Sequence, residues 1–171
     1  FPVYDNNKWG VIDSNGNIVI DPSYQEMIII PNNKNDIFLC TYDVDYNTGE
    51  YKTKALNSKN EEIFTEYQKI EAIQNKDANN NLWYEDNNLR VQKDGKYGMI
   101  SFTGEELLKP EYDEITALDG IKNTVVIHKD GKVGIADSEG RIILDPIYLE
   151  VTNLGKDNKS GYIVKDETTG K

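Results

Sequence analysis

The side chains able to do chemistry are few and widely spaced. His128 is the only histidine and Cys40 the only cysteine, and no flanking pattern marks a nucleophile elbow, a Cys-His pair or a zinc site. His128 lies just before Asp130-Gly131 and reads as a surface hairpin residue, while Cys40 ends the apolar run Ile37-Phe38-Leu39 and reads as a small buried hydrophobe. Asp43-x-Asp45-x-Asn47 sets oxygen ligands at calcium-loop spacing, but Gly49 falls one residue late and Lys54 stands where a bidentate Glu is needed. A polar hairpin tip accounts for that stretch better. Glu26, Glu114 and Glu150 recur two residues after Tyr24, Tyr112 and Tyr148, with Lys69 in that place after Tyr67. A glycosidase pair needs one acid in an apolar pocket with its partner in reach. Equivalent positions on stacked sheets stand about 10 Å apart, so the row reads as a charged edge that discourages strand pairing. With no Walker loop and no GxGxxG, the expectation is a chain that is not an enzyme, with no catalytic residue, no metal and no cofactor.

Binding chemistry is better represented. Tyr24, Tyr67, Tyr112 and Tyr148 could stack on sugars, yet their regular recurrence points to packing, the phenol closing a hydrogen bond at a Pro-x-Tyr corner. Trp83 and Tyr84, followed by Glu85 and Asp86, fall outside any regular recurrence. They sit in the longest connection, NKDANNNLWYEDNN (residues 75–88), where a loop on a rigid scaffold would concentrate binding residues. These four are the candidate ligand site. The competing account folds the two rings back as cover for a flank of the second repeat.

The elements that must position these groups come from one unit spelled four times. KYGMISFTGEELLKPEYDEI (96–115) aligns without a gap with KWGVIDSNGNIVIDPSYQEM from Lys8 and KVGIADSEGRIILDPIYLEV from Lys132. A worn copy, KTKALNSKNEEIFTEYQKI from Lys52, lacks one residue where the others have Pro22, Pro110 and Pro146. Each copy predicts strands separated by tight turns: Asn6-Asn7, Asp94-Gly95 and Asp130-Gly131, with Thr48-Gly49 and Thr169-Gly170 in longer versions. A second turn uses Gly16, Gly104 and Gly140, with Asn60 in the worn copy. Strands such as 18–20 are then expected to end at the proline, which cannot donate to a ladder. A fourth extended run (27–30, 70–73, 115–118) completes a β-β-β-β unit. Paired apolar residues in the second strand (Val11-Ile12, Met99-Ile100) and in the third (Val19-Ile20, Leu107-Leu108, Ile143-Leu144) predict sheets buried on both faces.

Lys8-Trp9-Gly10, the turn at Gly16, then Ile20-Asp21-Pro22 and Tyr24, resemble the bacterial WG-repeat (KWG-repeat) family. Trp9 becomes Tyr97 and Val133 in later copies, and Thr53-Lys54 replaces the aromatic-Gly pair in the worn one. The resemblance implies a scaffold often found in envelope-associated or secreted bacterial proteins, with no single chemistry attached. The expected fold is all-β: tandem four-stranded antiparallel β-meanders stacked face to face as an open superhelical array, with a β-propeller as the alternative. One array spans residues 1–171, with repeats at about 1–35, 36–80, 81–120 and 121–159 and the start of a fifth at 160–171.

Composition narrows the partners. Thirty acidic against 19 basic residues give a net charge of −11, which repels phosphate backbones and anionic lipid. No nucleic acid is expected, and no apolar run approaches the roughly 18–20 residues of a membrane span. Beginning inside a repeat, the chain reads as a fragment of a larger bacterial protein, extracellular or in the cell envelope. The function expected is a non-enzymatic scaffold for a protein partner, with a carbohydrate-binding module of the cell envelope as the alternative.

Overall fold

The computed structural model describes residues 1–167, which form sixteen strands and no helix. β1 (Pro2–Asp5), β2 (Lys8–Ile12) and β3 (Ile18–Tyr24) make a first antiparallel sheet, and β4 (Phe38–Asp45), β5 (Glu50–Leu56) and β6 (Glu62–Ile63) a second. A third contains β7 (Lys69–Lys76), β8 (Leu82–Lys93), β9 (Lys96–Ser101) and β10 (Glu106–Tyr112), and a fourth β11 (Glu114–Ala117), β12 (Thr124–Lys129), β13 (Lys132–Asp137) and β14 (Ile142–Tyr148). The short pair β15 (Glu150–Asn153) and β16 (Tyr162–Lys165) follows, and no sheet of the described residues closes into a barrel. The chain divides into two compact units, Phe1–Ala72 and Ile73–Lys171, with the boundary inside β7.

Turn chemistry sets the strand ends. Asn6 and Asn7 (φ 48° and 61°), Asp94-Gly95 (51°, 76°) and Asp130-Gly131 (51°, 75°) all carry the paired positive φ of a two-residue hairpin; Thr169-Gly170 lies outside the described residues. The second turn is a five-residue loop whose first side chain accepts two backbone N–H groups. Asp13 takes those of Asn15 and Asn17, Asn57 those of Lys59 and Glu61, Ser101 those of Thr103 and Glu105, and Asp137 those of Glu139 and Arg141. Gly16, Asn60, Gly104 and Gly140 supply the left-handed residue.

Three expectations are corrected. Proline does not end the third strand: β3, β10 and β14 run through Pro22, Pro110 and Pro146 to the tyrosine two residues on. The ladder bulges there, because Val11 pairs with Ile20 and Trp9 with Tyr24, so three residues oppose one. In a bulge the missing N–H leaves no ladder bond unmade. The same bulge explains the glycine of the repeat, since a Cβ on Gly10 would lie 2.5 Å from the Ile20 carbonyl oxygen and 2.7 Å from Pro22 N. Gly98 and Gly134 meet Leu108 with Pro110, and Leu144 with Pro146, in the same way. The worn copy lacks both partners: with no proline the bulge is absent, Lys54 replaces the glycine, β6 stops at Ile63, and Phe64 takes a strained φ of 56°.

The second correction concerns strand pairing. A repeat's fourth run pairs with the first strand of the following repeat, as β11 does with β12 (Ile115 opposite Ile127), β15 with β16, and Ile29 with Leu39 in a single bridge. Sheets are therefore cut from the chain one strand out of phase with the repeats. Third, burial on both faces does not extend to every strand. Met99, Ile100, Ile135 and Ala136 are fully enclosed, whereas the edge strand β14 leaves Ile142, Ile143 and Ile147 exposed.

Within each unit the sheets stack face to face. In the first, Val11, Ile20 and Ile28 close on Phe38, Cys40 and Leu56, flanked by Trp9 and Tyr24. In the second, Ile73, Met99, Leu108 and Tyr112 close on Ile115, Val125, Ile127 and Ala136. Burial of such aliphatic side chains, at roughly 1.5–3 kcal/mol each, is what holds one layer on the next.

Candidate functional site

Trp83, Tyr84, Glu85 and Asp86 lie on a strand and not in a loop. The segment expected to be a long connection is a hairpin, β7 to β8, whose loop 77–81 repeats the five-residue design. Asp77 accepts from the amides of Asn79 and Asn81, and Asn80 takes the left-handed position. The sequence signal was present and missed: DANNN at 77–81 copies DSNGN at 13–17 with Asn for Gly. β8 is twelve residues long while β9 has six, and their pairing starts only at Asn88 opposite Ser101. Residues 82–87 thus outrun β9. Along that stretch Leu82 is exposed, Trp83 and Tyr84 are half-buried, and Asp86 faces solvent. The Trp83 indole N–H is buried and has no hydrogen-bond partner.

Glu85 has a different place. It is 3% exposed and belongs to a polar cluster with Asn75, itself 2% exposed. Asn75 Nδ2 donates to Glu85 Oε1 at 2.8 Å, to Ile121 O at 3.1 Å and to Leu118 O at 3.3 Å, while Asn75 Oδ1 accepts from Gly120 N at 2.9 Å. Glu85 Oε2 accepts from Asn123 N at 3.1 Å, and Asn87 Nδ2 donates to Asn123 Oδ1. The cluster ties β7 and β8 to the β11–β12 loop, and both oxygens of the Glu85 carboxylate are engaged in it. Nothing in the one-dimensional pattern links Asn75 with residues 118–123.

The remaining chemistry-bearing groups are tied into the scaffold. His128 is half-buried, its Nε2 is 3.1 Å from Thr116 Oγ1, and desolvation pushes its pKa below the ordinary value against the pull of Glu114 and Asp113. Cys40 is fully buried and burial raises its thiol to about 11, which makes it an inert thiol. Asp45 caps the amides of Asn47 and Thr48, and Asp43 pairs with Lys52 at 2.8 Å. These two carboxylates border an open cavity of about 360 Å³ with Glu50, Tyr51, Lys52 and Lys69. Of the recurring acids, Glu26 accepts from Tyr46 and Glu114 from Arg90 at 2.7 Å each. Tyr24 and Tyr112 are packing residues in the two cores. Lys54 Nζ of the facing sheet lies 5.6 Å from the Tyr24 ring centroid, and burial raises the pKa of the phenol.

In the first sheet, Tyr4 lies opposite Trp9 and Trp9 opposite Tyr24, an aromatic row across three strands. The Tyr4 and Trp9 rings stand 4.9 Å apart, tilted by 48°.

A family model described as WG containing repeat matches residues 9–35 and 97–120. A search of curated proteins returns no match, and neither does a search of solved structures. The matched stretches open on Trp9-Gly10 and Tyr97-Gly98, and each contains the bulged proline that its glycine faces. The family model thus matches the first and third copies, and the fourth is built on the same glycine and proline.

Proposed function

We propose that this chain is a non-enzymatic repeat scaffold that holds a protein partner along the stretch of β8 that extends beyond β9. The observation that carries the reading is the mismatch of strand lengths. Residues 82–87 extend beyond β9, and that stretch bears Leu82, Trp83 and Tyr84. A strand that runs past its neighbour is a place where an extended segment can be added to the sheet, and the aromatics on it would supply side-chain energy. Asp86 is the polar group beside the added strand. The clamp through Asn75 and Glu85 holds this stretch rigid, which lowers the ordering cost of binding. A library of extended peptides displayed against the whole chain tests the proposal. A selected peptide should slow amide hydrogen exchange at residues 83–87, and Trp83→Ala should weaken it at least about tenfold. A partner whose affinity survives Trp83→Ala, with no protection on β8, would sink it.

A further inference from the structure

The four copies act as internal controls for one another, and the row across the first sheet exceeds what the fold requires. Column by column, the position of Trp9 is filled by Thr53, Tyr97 and Val133, and that of Tyr4 by Thr41, Gln92 and His128. Only the third column, Tyr24 with Tyr67, Tyr112 and Tyr148, is aromatic throughout. A sheet of this repeat therefore folds without large rings in the first two columns. Yet Tyr4, 55% exposed, and the half-buried Trp9 make one tilted platform with ring centroids 4.9 Å apart. In the third sheet the matching place is closed by the protein itself, since Arg90 lies over Tyr97 and pairs with Glu114. In the first sheet the position of Arg90 belongs to Pro2, opposite Val11.

We propose that the Tyr4–Trp9 platform binds an uncharged pyranose glycan, a site separate from β8 and independent of the protein partner proposed there. Two rings in contact with planes 48° apart form an angled aromatic surface, on which the apolar C–H side of a pyranose can pack against one ring while the other borders it. Short planar polar groups border the platform at the hairpin tip: Asp5, Asn6 and Asn7 are all exposed. Carboxylate and amide groups of this kind bond vicinal hydroxyls. The Tyr4 hydroxyl reaches Asn7 Oδ1 at 3.4 Å, too long for a good O–H···O bond, so it has capacity for a ligand. The net charge of −11 disfavours polyanionic glycans, which selects neutral chains.

The copies also supply the test, because they show which replacements the fold accepts: Trp9→Val as at Val133, and Tyr4→Gln as at Gln92. The whole chain is titrated with cellohexaose, chitohexaose, maltohexaose and mannohexaose, with heparin as the polyanionic comparison and a proline-rich peptide as the protein-like one. At least one neutral hexaose should bind, and each variant should weaken it about tenfold or more while the melting temperature stays within about 2 °C. If Trp9→Val melts early, Tyr4→Gln at its exposed position gives the same reading alone. No neutral hexaose binding, binding indifferent to Tyr4→Gln, or binding of heparin or the peptide in place of every hexaose would each overturn the assignment.

Discussion

At the scale of single residues, the pairing of glycine with proline is the most constrained feature of the repeat. A Cβ on Gly98 would stand 2.6 Å from the Leu108 carbonyl oxygen and 2.8 Å from Pro110 N, both backbone atoms that cannot swing aside. Gly98→Ala should therefore destabilise the protein by about 3 kcal/mol or more. Urea denaturation measures this, and a loss under about 0.5 kcal/mol would show that the bulge yields. Sequence inspection sees both halves of this device, and sees that Lys52's copy loses both, yet reads the proline as a strand stop. The reason is physical: a pattern along one strand reports which residues cannot donate, not that the opposing strand has stepped aside. His128 gives a second prediction. Desolvation lowers its folded-state pKa below the 6.5 of an exposed histidine, so the native state prefers the neutral ring and the unfolded state takes up the proton first. Its contribution is present in full above about pH 6.5 and declines as pH falls through that value toward the lower native one. His128→Gln, which borrows the residue at Gln92, should flatten this part of the stability profile. Identical slopes for the two proteins between about pH 5 and 7 would refute the assignment.

Among the elements, β8 departs furthest from the repeat, and its integrity depends on the buried amide beneath it. Removing the Asn75 side chain would leave the buried Glu85 carboxylate, the Gly120 N–H and the Ile121 carbonyl short of a partner. Unsatisfied buried groups cost about 1–3 kcal/mol each, more when charged. Asn75→Ala should accordingly lose about 3 kcal/mol, with hydrogen exchange at Gly120 and Ile121 accelerating before the rest of the fourth sheet. Equal acceleration throughout that sheet would mean that the clamp is not local. Strand content and turn positions were legible because Asn, Asp and Gly mark them residue by residue. The role of Asn75 was not, since its partners lie 43 to 46 positions away and a lone Asn in an Asn-rich stretch looks like any loop residue.

For the molecule as a whole, stability should be local, because each unit carries its own core and stacked repeats contact chiefly their neighbours. Met99 and Ile28 test this from opposite ends. Met99 is fully enclosed with Leu108, Val125 and Ile127 in the second unit, and Ile28 is buried with Phe38 and Cys40 in the first. Truncation of either to Ala removes a large side chain from a filled site, at a cost of about 2–5 kcal/mol. If the units open separately, Met99→Ala should speed native-state exchange of the Val125 and Ile127 amides and leave Leu39 and Cys40 near their original rates, while Ile28→Ala should do the reverse. A fully cooperative array would instead lower the protection of all four amides by one common factor in both variants. The separation matters for binding, because a glycan on the Tyr4–Trp9 platform and a strand added at β8 would then stabilise different units. Ligand binding stabilises only the state that carries the site, so cellohexaose or its equivalent should protect Leu39 and Cys40 in the Met99→Ala protein without rescuing Val125. Rescue of Val125 by a ligand held at Tyr4 would show that the layers open as one.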